Sequence, residues 1–412
     1  MVNAPHQKKK KTMRKYIASY TLMLASLSLL TACMRDYDTH MPATDSKDQP
    51  LQVSNIKVEN QAGKAVLTYT VPNDPNLLYV KASYTLSTGK QAEVKASYHS
   101  NTLVVDGFAD TLEHEISVYS VSRSEVASAP VTVKIRPLEA PIWKVFKSIN
   151  VLAAFGGYNM TASNETRADL SILVLKKNAF NEYETDINMS VYTNTDIIES
   201  KIRGLDTLDY TFGFLVTDKW GNTTDTLYQT FKPLYETEFP PASFATFNLP
   251  GDAPQVTNGA ALQYIWDGQL GWPWTSFTNQ VPGGSGPHTI TFDMGTTGKV
   301  SRVWIRPYPE GSRYYYLTTM KRFEIYGSTA PSLSGELDAS WILLGSYTVV
   351  KPSGLPYGTD NTEDQTTAAA GFNWEADLLA PKVRYMRIRC LENFAGGTAQ
   401  SINELKVYGD PR

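Results

Sequence analysis

Cysteine is nearly absent from this chain, with two in 412 residues, Cys33 and Cys390. Cys33 sits in a processing signal discussed below and Cys390 on the apolar side of an alternating segment, so no intramolecular disulfide is expected. The five histidines stand at 6, 40, 99, 114 and 288. None has the spacing that sets two metal ligands on one helix face, and no cysteine pair offers a zinc site. Gly283-Gly284-Ser285-Gly286-Pro287 fails as a nucleophile elbow because Pro287 takes the place of the second glycine. No glycine-rich loop leads into a phosphate-binding lysine. The longest apolar run, Ile17 to Leu30, has 14 residues, short of the ~20 needed to cross a bilayer. Basic residues are also in deficit. Beyond residue 32 the chain has 32 Lys and Arg against 41 Asp and Glu, a formal charge of −9, which argues against a nucleic-acid partner.

What is present begins with Lys8 to Lys11, Arg14 and Lys15 ahead of that apolar run, then Leu30-Thr31-Ala32-Cys33. A basic segment, an apolar segment and a small-residue cleavage site form a secretory signal. Ending in cysteine, it resembles a bacterial lipoprotein signal, which implies a signal peptide over 1–32 and lipidation of Cys33. The acids Asp36 and Asp38 just behind it resemble the surface-export signal of Bacteroidetes lipoproteins. The implied location is the outer membrane, lipid-anchored and facing the exterior. Residues 33–50 read as a disordered tether of low hydrophobicity.

From Leu51 onward apolar and polar residues alternate in short segments separated by Gly, Pro, Ser and Asn, the pattern of an all-β chain. Asp106 to Leu112 followed by Ile116 to Tyr119 lines up with Arg203 to Leu208 followed by Phe212 to Leu215, an offset of 96 to 97 residues. That is the size of one immunoglobulin-like sandwich. Two modules are expected, over 51–137 and 138–237, and both resemble fibronectin type III domains. Tyr210 is placed as a corner tyrosine whose hydroxyl closes a chain reversal. Asp-Thr-Leu recurs at Asp110, Asp206 and Asp225 and is similar to the Bacteroidetes protein O-glycosylation acceptor pattern.

The last region, 238–412, carries an ordered set of motifs. These are Ile265-Trp266-Asp267-Gly268, Lys321 to Gly327, Ala339 to Tyr347, Val383 to Arg389 and Ile402 to Gly409. Alternation places Val303, Ile305, Met386, Ile388 and Cys390 in the core and the intervening arginines outside. The motif order resembles the discoidin, or factor 5/8 type C, family, which implies an eight-stranded jelly roll with ligand loops at one end. The expected fold is thus all-β, two immunoglobulin/fibronectin-like sandwiches followed by a discoidin-like β jelly roll. The whole order resembles multimodular surface lipoproteins encoded beside polysaccharide-uptake systems in gut Bacteroidetes.

Sugars offer flat, weakly apolar C–H faces beside many hydroxyls, so a sugar site needs an exposed ring and charged or amide groups. Two aromatic clusters fall in expected loops, Gly271 to Trp274 and Glu310 to Tyr316, and a third follows Gly371. The ligand-binding candidates are Trp272, Trp274, Arg313, Tyr314, Tyr315 and Trp374; Trp266, Trp341 and Phe372 are assigned to the core. The discoidin resemblance implies a structural calcium held by Asp267 and Glu404, oxygen ligands suited to a hard cation. The expected function is capture of polysaccharide or oligosaccharide for uptake by neighbouring glycan-uptake proteins, with no catalytic residue. Its rivals are an adhesion or structural lipoprotein gripping a protein through the same loops, and a glycoside hydrolase with two facing carboxylates.

Overall fold

The computed structural model describes residues 46–279 and 286–412. The lipidation signal, Cys33 and most of the tether lie outside the described residues, as does most of the glycine-rich loop before Pro287. The described residues divide into two compact units, one ending at Ala140 and one running from Pro141 to Arg412.

Among the described residues the first unit is a sandwich of seven strands. They are β1 (Ser54–Gln61), β2 (Lys64–Thr70), β3 (Leu77–Thr85), β4 (Gln91–Ser97), β5 (Thr102–Asp106), β6 (His114–Ser122) and β7 (Val131–Ile135). They form sheets of order β1-β2-β5 and β4-β3-β6-β7. Alternation decides what is buried: Leu67, Val80, Ala82, Val105, Ile116 and Val118 face inward, each 3 % exposed or less.

The second unit opens with helix α1 (Pro141–Ser148) and a second sandwich. Its strands are β8 (Asn150–Ala154), β9 (Gly157–Ser163), β10 (Leu170–Lys177), β11 (Tyr183–Thr193), β12 (Ile197–Ile202), β13 (Tyr210–Asp218) and β14 (Leu227–Phe231). The sheets run β8-β9-β12 and β11-β10-β13-β14, repeating the first module strand for strand. Tyr158 lies at the centre with its ring 5.0–5.8 Å from those of Phe212, Phe214 and Phe231.

The internal echo is a folding device. In each module a glycine with positive φ, Gly107 at 92° and Gly204 at 90°, turns the chain after one sheet's edge strand. An aspartate then closes the loop: Asp110 Oδ1 accepts from Leu112 N–H at 2.9 Å and Asp206 Oδ1 from Leu208 N–H at 3.0 Å. Tyr210 donates its hydroxyl to Asp206 at 2.8 Å, and His114 holds the equivalent place, 2.7 Å from Asp110. Two of the three Asp-Thr-Leu segments are therefore turn chemistry.

The remainder of the second unit is a jelly roll. Its elements are β15 (Thr237–Glu238), β16 (Ala245–Thr246), β17 (Ser276–Phe277), β18 (His288–Arg306), β19 (Met320–Ser328), β20 (Ile342–Thr348), α2 (Thr362–Ala369), β21 (Phe372–Glu375), β22 (Val383–Asn393), β23 (Ser401–Ile402) and β24 (Glu404–Asp410). The 19-residue β18 serves both faces. Its first half pairs with β16 and β22, and its second half with β24 and β21, the register shifting between Asp293 and Gly298. At that bend Gly298 lies against Phe239, whose ring a Cβ would meet at 2.6 Å. Val303, Ile305, Met386, Ile388 and Cys390 are all in the core, and burial pushes the Cys390 thiol up to about 12.

The arginines do not all lie outside. Arg387 is 2 % exposed, because loops from 249–256 and 330–341 fold over its side of the sheet. It donates to Thr291 Oγ1 at 3.0 Å, Gly335 O at 3.0 Å and Asp252 Oδ1 at 3.3 Å, beneath the Trp341 ring.

Within the second unit, charges tie the sandwich to the jelly roll. Arg203 donates to Phe155 O at 2.9 Å, Glu236 Oε1 at 2.7 Å and Glu375 Oε1 at 2.8 Å, and Lys201 reaches Glu375 at 2.7 Å. Although burial works to raise the Glu375 pKa, the hydrogen bonds from Lys201 and Arg203 hold it below the usual carboxylate value. Arg203→Ala is expected to lower the unfolding free energy of this unit by about 2 kcal/mol, the scale of a charged hydrogen bond lost between partly buried groups. Denaturant unfolding of the lipid-free chain measures it, and an unchanged midpoint would show the joint to be energetically idle.

Candidate functional site

Four segments of the jelly roll meet at one end. Strand β18 finishes at Arg306 and feeds 307–319; β24 begins at Glu404; β20 runs out into 349–361; and 266–275 follows a 3-10 turn, Leu262–Trp266. The ladder places Arg306 directly opposite Glu404.

Loop 266–275 is pinned by the residues that open β24. Gly271 N–H donates to Asn403 Oδ1 at 3.2 Å, and Asn403 Nδ2 donates to Trp274 O at 2.8 Å. Gly268 N–H donates to Glu404 Oε1 at 3.3 Å. The loop is thus held by backbone groups at both ends of the short run that carries Trp272, which is 42 % exposed. The Trp272 ring meets Phe277 and Tyr308 edge-on, with centroids 6.4 and 6.3 Å away, and those two rings meet each other edge-on at 6.3 Å. T-shaped contacts fix the ring, and its 42 % exposure leaves apolar surface free for a ligand. Trp274 is half-buried against Tyr264, centroids 5.0 Å apart.

Contacts continue from Tyr308 across the end. Glu310 lies close enough for its charge to add to the burial that raises the Tyr308 pKa. Burial likewise raises the Glu310 pKa, opposed by Arg313. Glu310 and Arg313 exchange backbone hydrogen bonds, and the Arg313 guanidinium lies 3.7 Å from the Tyr316 ring centroid. Tyr316 stacks on Tyr357 at 4.9 Å, and Tyr357 is 50 % exposed. The end therefore carries two aromatic stations, Trp272 with Tyr308 and Tyr316 with Tyr357, joined by Glu310 and Arg313.

Of the expected ligand residues, Trp272, Trp274 and Arg313 come together here. Tyr314, Tyr315 and Trp374 do not. Tyr315 is 1 % exposed and packs edge-on against Phe372 and Phe394, while the Tyr314 and Tyr315 amides are drawn inward by Asp360, at 2.7 and 3.4 Å. Trp374 is half-buried on β21, its ring 5.1 Å from Phe323 and 5.3 Å from Tyr347. Those three rings complete the core. Tyr308, Tyr316, Tyr357 and Arg306 take their places at this end; the three consecutive tyrosines signal that one faces out, but not which.

Glu404 is 6 % exposed, and its Oε2 has no hydrogen-bond partner. Burial, with a contribution from Asp267, pushes its pKa up to about 7. Arg306 Nε is also buried without a partner. Among the described residues no group of three His, Cys, Asp or Glu side chains converges on one point. An orphaned buried carboxylate oxygen beside a second carboxylate, at a loop rich in backbone carbonyls, is a donor set that fits a hard cation.

Three family models match the chain in tandem: DUF4959 over residues 50–137, DUF5126 over 138–242 and DUF5000 over 266–409, each described as a domain of unknown function. No curated protein sequence matches. Among solved structures one has 28 % identity, covering 66 % of this chain and 100 % of its own, with a TM-score of 0.44. It is a SusE-like protein. This chain resembles it. A family 32 carbohydrate-binding module from C. perfringens NanJ, in complex with galactose, is similar at 17 % identity, 42 % of this chain, 98 % of its own and a TM-score of 0.29. A two-domain fibronectin type III segment of chicken tenascin is similar at 14 % identity, 44 % and 99 % coverage and a TM-score of 0.21.

Proposed function

We propose that this SusE-like chain is a non-catalytic surface lipoprotein that captures polysaccharide at the loop end of its jelly roll for uptake by neighbouring proteins. Residues 51–137 and 138–237 act as spacers and 238–412 as the binding domain. The anchoring part of this reading rests on the signal ending at Cys33. The binding part is carried by one observation: Trp272 is 42 % exposed while two rings, Phe277 and Tyr308, hold it in T-shaped contact, and Tyr308 leads on to Glu310 and Arg313.

A sugar ring stacks its C–H face on Trp272, and a neighbouring ring of the same glycan reaches Tyr316 and Tyr357. Arg313 and Glu310 take the hydroxyls between them, Arg313 as donor and Glu310 as acceptor. A solvent-exposed platform of this kind buries little area, so affinity per site is modest and avidity among copies compensates. Affinity electrophoresis of the lipid-free chain against plant, host and microbial polysaccharides tests the reading. Retardation by one glycan class without release of reducing sugar supports it; release of reducing sugar sinks the non-catalytic part, and unretarded migration throughout sinks the rest.

We further propose that Asp267 and Glu404 hold a structural calcium. When bound, the ion supplies charge that keeps Glu404 ionised and ties loop 266–275 to β24. Calcium is expected to raise the melting temperature of the lipid-free chain by a few degrees, the scale of about 1 kcal/mol. Glu404→Gln should remove that response, and a wild-type melt indifferent to millimolar calcium would rule the site out.

A further inference from the structure

We propose that the middle sandwich is more than a spacer and carries a second binding cleft of its own, for a neutral saccharide, built around Tyr192. The cleft has a volume of about 420 Å³ and is lined by Asp169, Ser171, Tyr192, Asn194, Asp218 and Lys219. That volume lies within the range of small-ligand sites, about 300–1,000 Å³.

The cleft follows from where three strands stop. Ser171 near the start of β10 is opposite Tyr192 near the end of β11 and Thr217 near the end of β13. Residues opposite one another share a face, so the Tyr192 ring stands on the outer face of the sheet. It is 60 % exposed. The loops beyond these strand ends rise around it, bringing Asp169 from one side, Asn194 from a second and Lys219 from a third.

The lining divides into groups already occupied and groups left open. Asp218 is occupied: its Oδ1 accepts from Trp220 and Asn222 N–H, each at 3.0 Å, shaping the hairpin tip that presents Lys219. Lys219 lies 4.5 Å from the Trp220 ring centroid. The Asp169 carboxylate and the Asn194 amide are exposed and make no hydrogen bond to any described residue. An open aromatic face beside a free carboxylate and a free amide is the combination that takes a sugar: C–H groups on the ring, adjacent hydroxyls donating to Asp169 and accepting from Asn194. Two carboxylates against one ammonium disfavour an acidic saccharide, so the ligand class is a neutral one of one or two rings.

The test uses the lipid-free chain with galactomannan, xyloglucan and mixed-linkage β-glucan as probes in affinity electrophoresis. Binding that survives Trp272→Ala should fall at least fivefold when Tyr192→Ala is added, and stay within twofold with Tyr192→Phe, which keeps the ring. Loss of all binding from Tyr192→Ala alone would support this cleft while removing the jelly-roll loops as the site. The proposal is overturned if residual binding ignores Tyr192→Ala, if Trp272→Ala alone eliminates binding, or if the wild-type chain binds none of the three probes.

Discussion

Trp272→Ala is expected to weaken polysaccharide binding by about 2 kcal/mol, a roughly thirtyfold loss. Tryptophan is the residue type whose truncation most often removes this much from a binding surface, because a large rigid face is lost at little gain in side-chain freedom. The fold should not change. Trp272 is 42 % exposed and lies outside the buried core cluster, and its loop is held by backbone bonds to Asn403 and Glu404 that the substitution leaves intact. Tyr315→Ala should do the reverse: that ring is buried, so stability falls by about 3–5 kcal/mol and any binding loss follows from unfolding. Titration of both variants at a temperature where each is folded separates the two, and a Trp272→Ala chain that binds like wild type would remove this station from the site.

Arg387→Met is expected to destabilise the jelly roll by about 3–5 kcal/mol although the replacement is apolar and of similar length. The arginine is 2 % exposed, and the Asp252 carboxylate it faces is also buried. Burial raises the Asp252 pKa even with hydrogen bonds from Leu249 N–H, Thr291 and Arg387 opposing it. Removing Arg387 takes the guanidinium from that buried carboxylate, which keeps only the neutral donors Thr291 and Leu249 N–H, and takes the side-chain donor from Gly335 O. Pairing Arg387→Met with Asp252→Asn should recover a substantial part of the loss, because the cost lies in the uncompensated charge. Denaturant unfolding monitored by tryptophan fluorescence checks this. Equal stabilities of wild type and Arg387→Met would show the pair to be dispensable.

Arg387 also shows where reading by alternation stops. The period of two assigned its neighbours correctly, since Met386, Ile388 and Cys390 are each fully buried. It assumes that the other face meets water, whereas Asp252, Gly335 and Trp341, 135, 52 and 46 residues away in sequence, cover it. The tyrosine run failed for a related reason. Ser312 and Leu317 have positive φ, so Tyr314 to Tyr316 are not in a strand and no strand rule says which ring turns inward. Trp374 sits on a strand that does obey the rule, but its loop-like surroundings in sequence, Gly371 and Asn373, concealed the pairing of β21 with β18. The two α-helices among the described residues are not visible to a reading by alternation alone. The cap of α2 was legible, since Asn361 and Asp364 form a capping box.

What was legible at the binding end was the residue chemistry rather than the arrangement. Trp272 and Arg313 could be picked out because Gly and Pro around them mark loops. Tyr308 could not be chosen over the other aromatics, because its role depends on Phe277 and Trp272 closing around it. Glu404 is named by the discoidin resemblance, whereas Arg306 is found only once β18 and β24 are in register and set it opposite Glu404.

The most direct measurement is a crystal structure of the lipid-free chain with an oligosaccharide from whichever polysaccharide retards it. The account predicts a sugar ring stacked on the exposed part of the Trp272 ring, with hydroxyls on Arg313 or Glu310. Full occupancy of the ligand elsewhere on the jelly roll, with Trp272 bare, would contradict it.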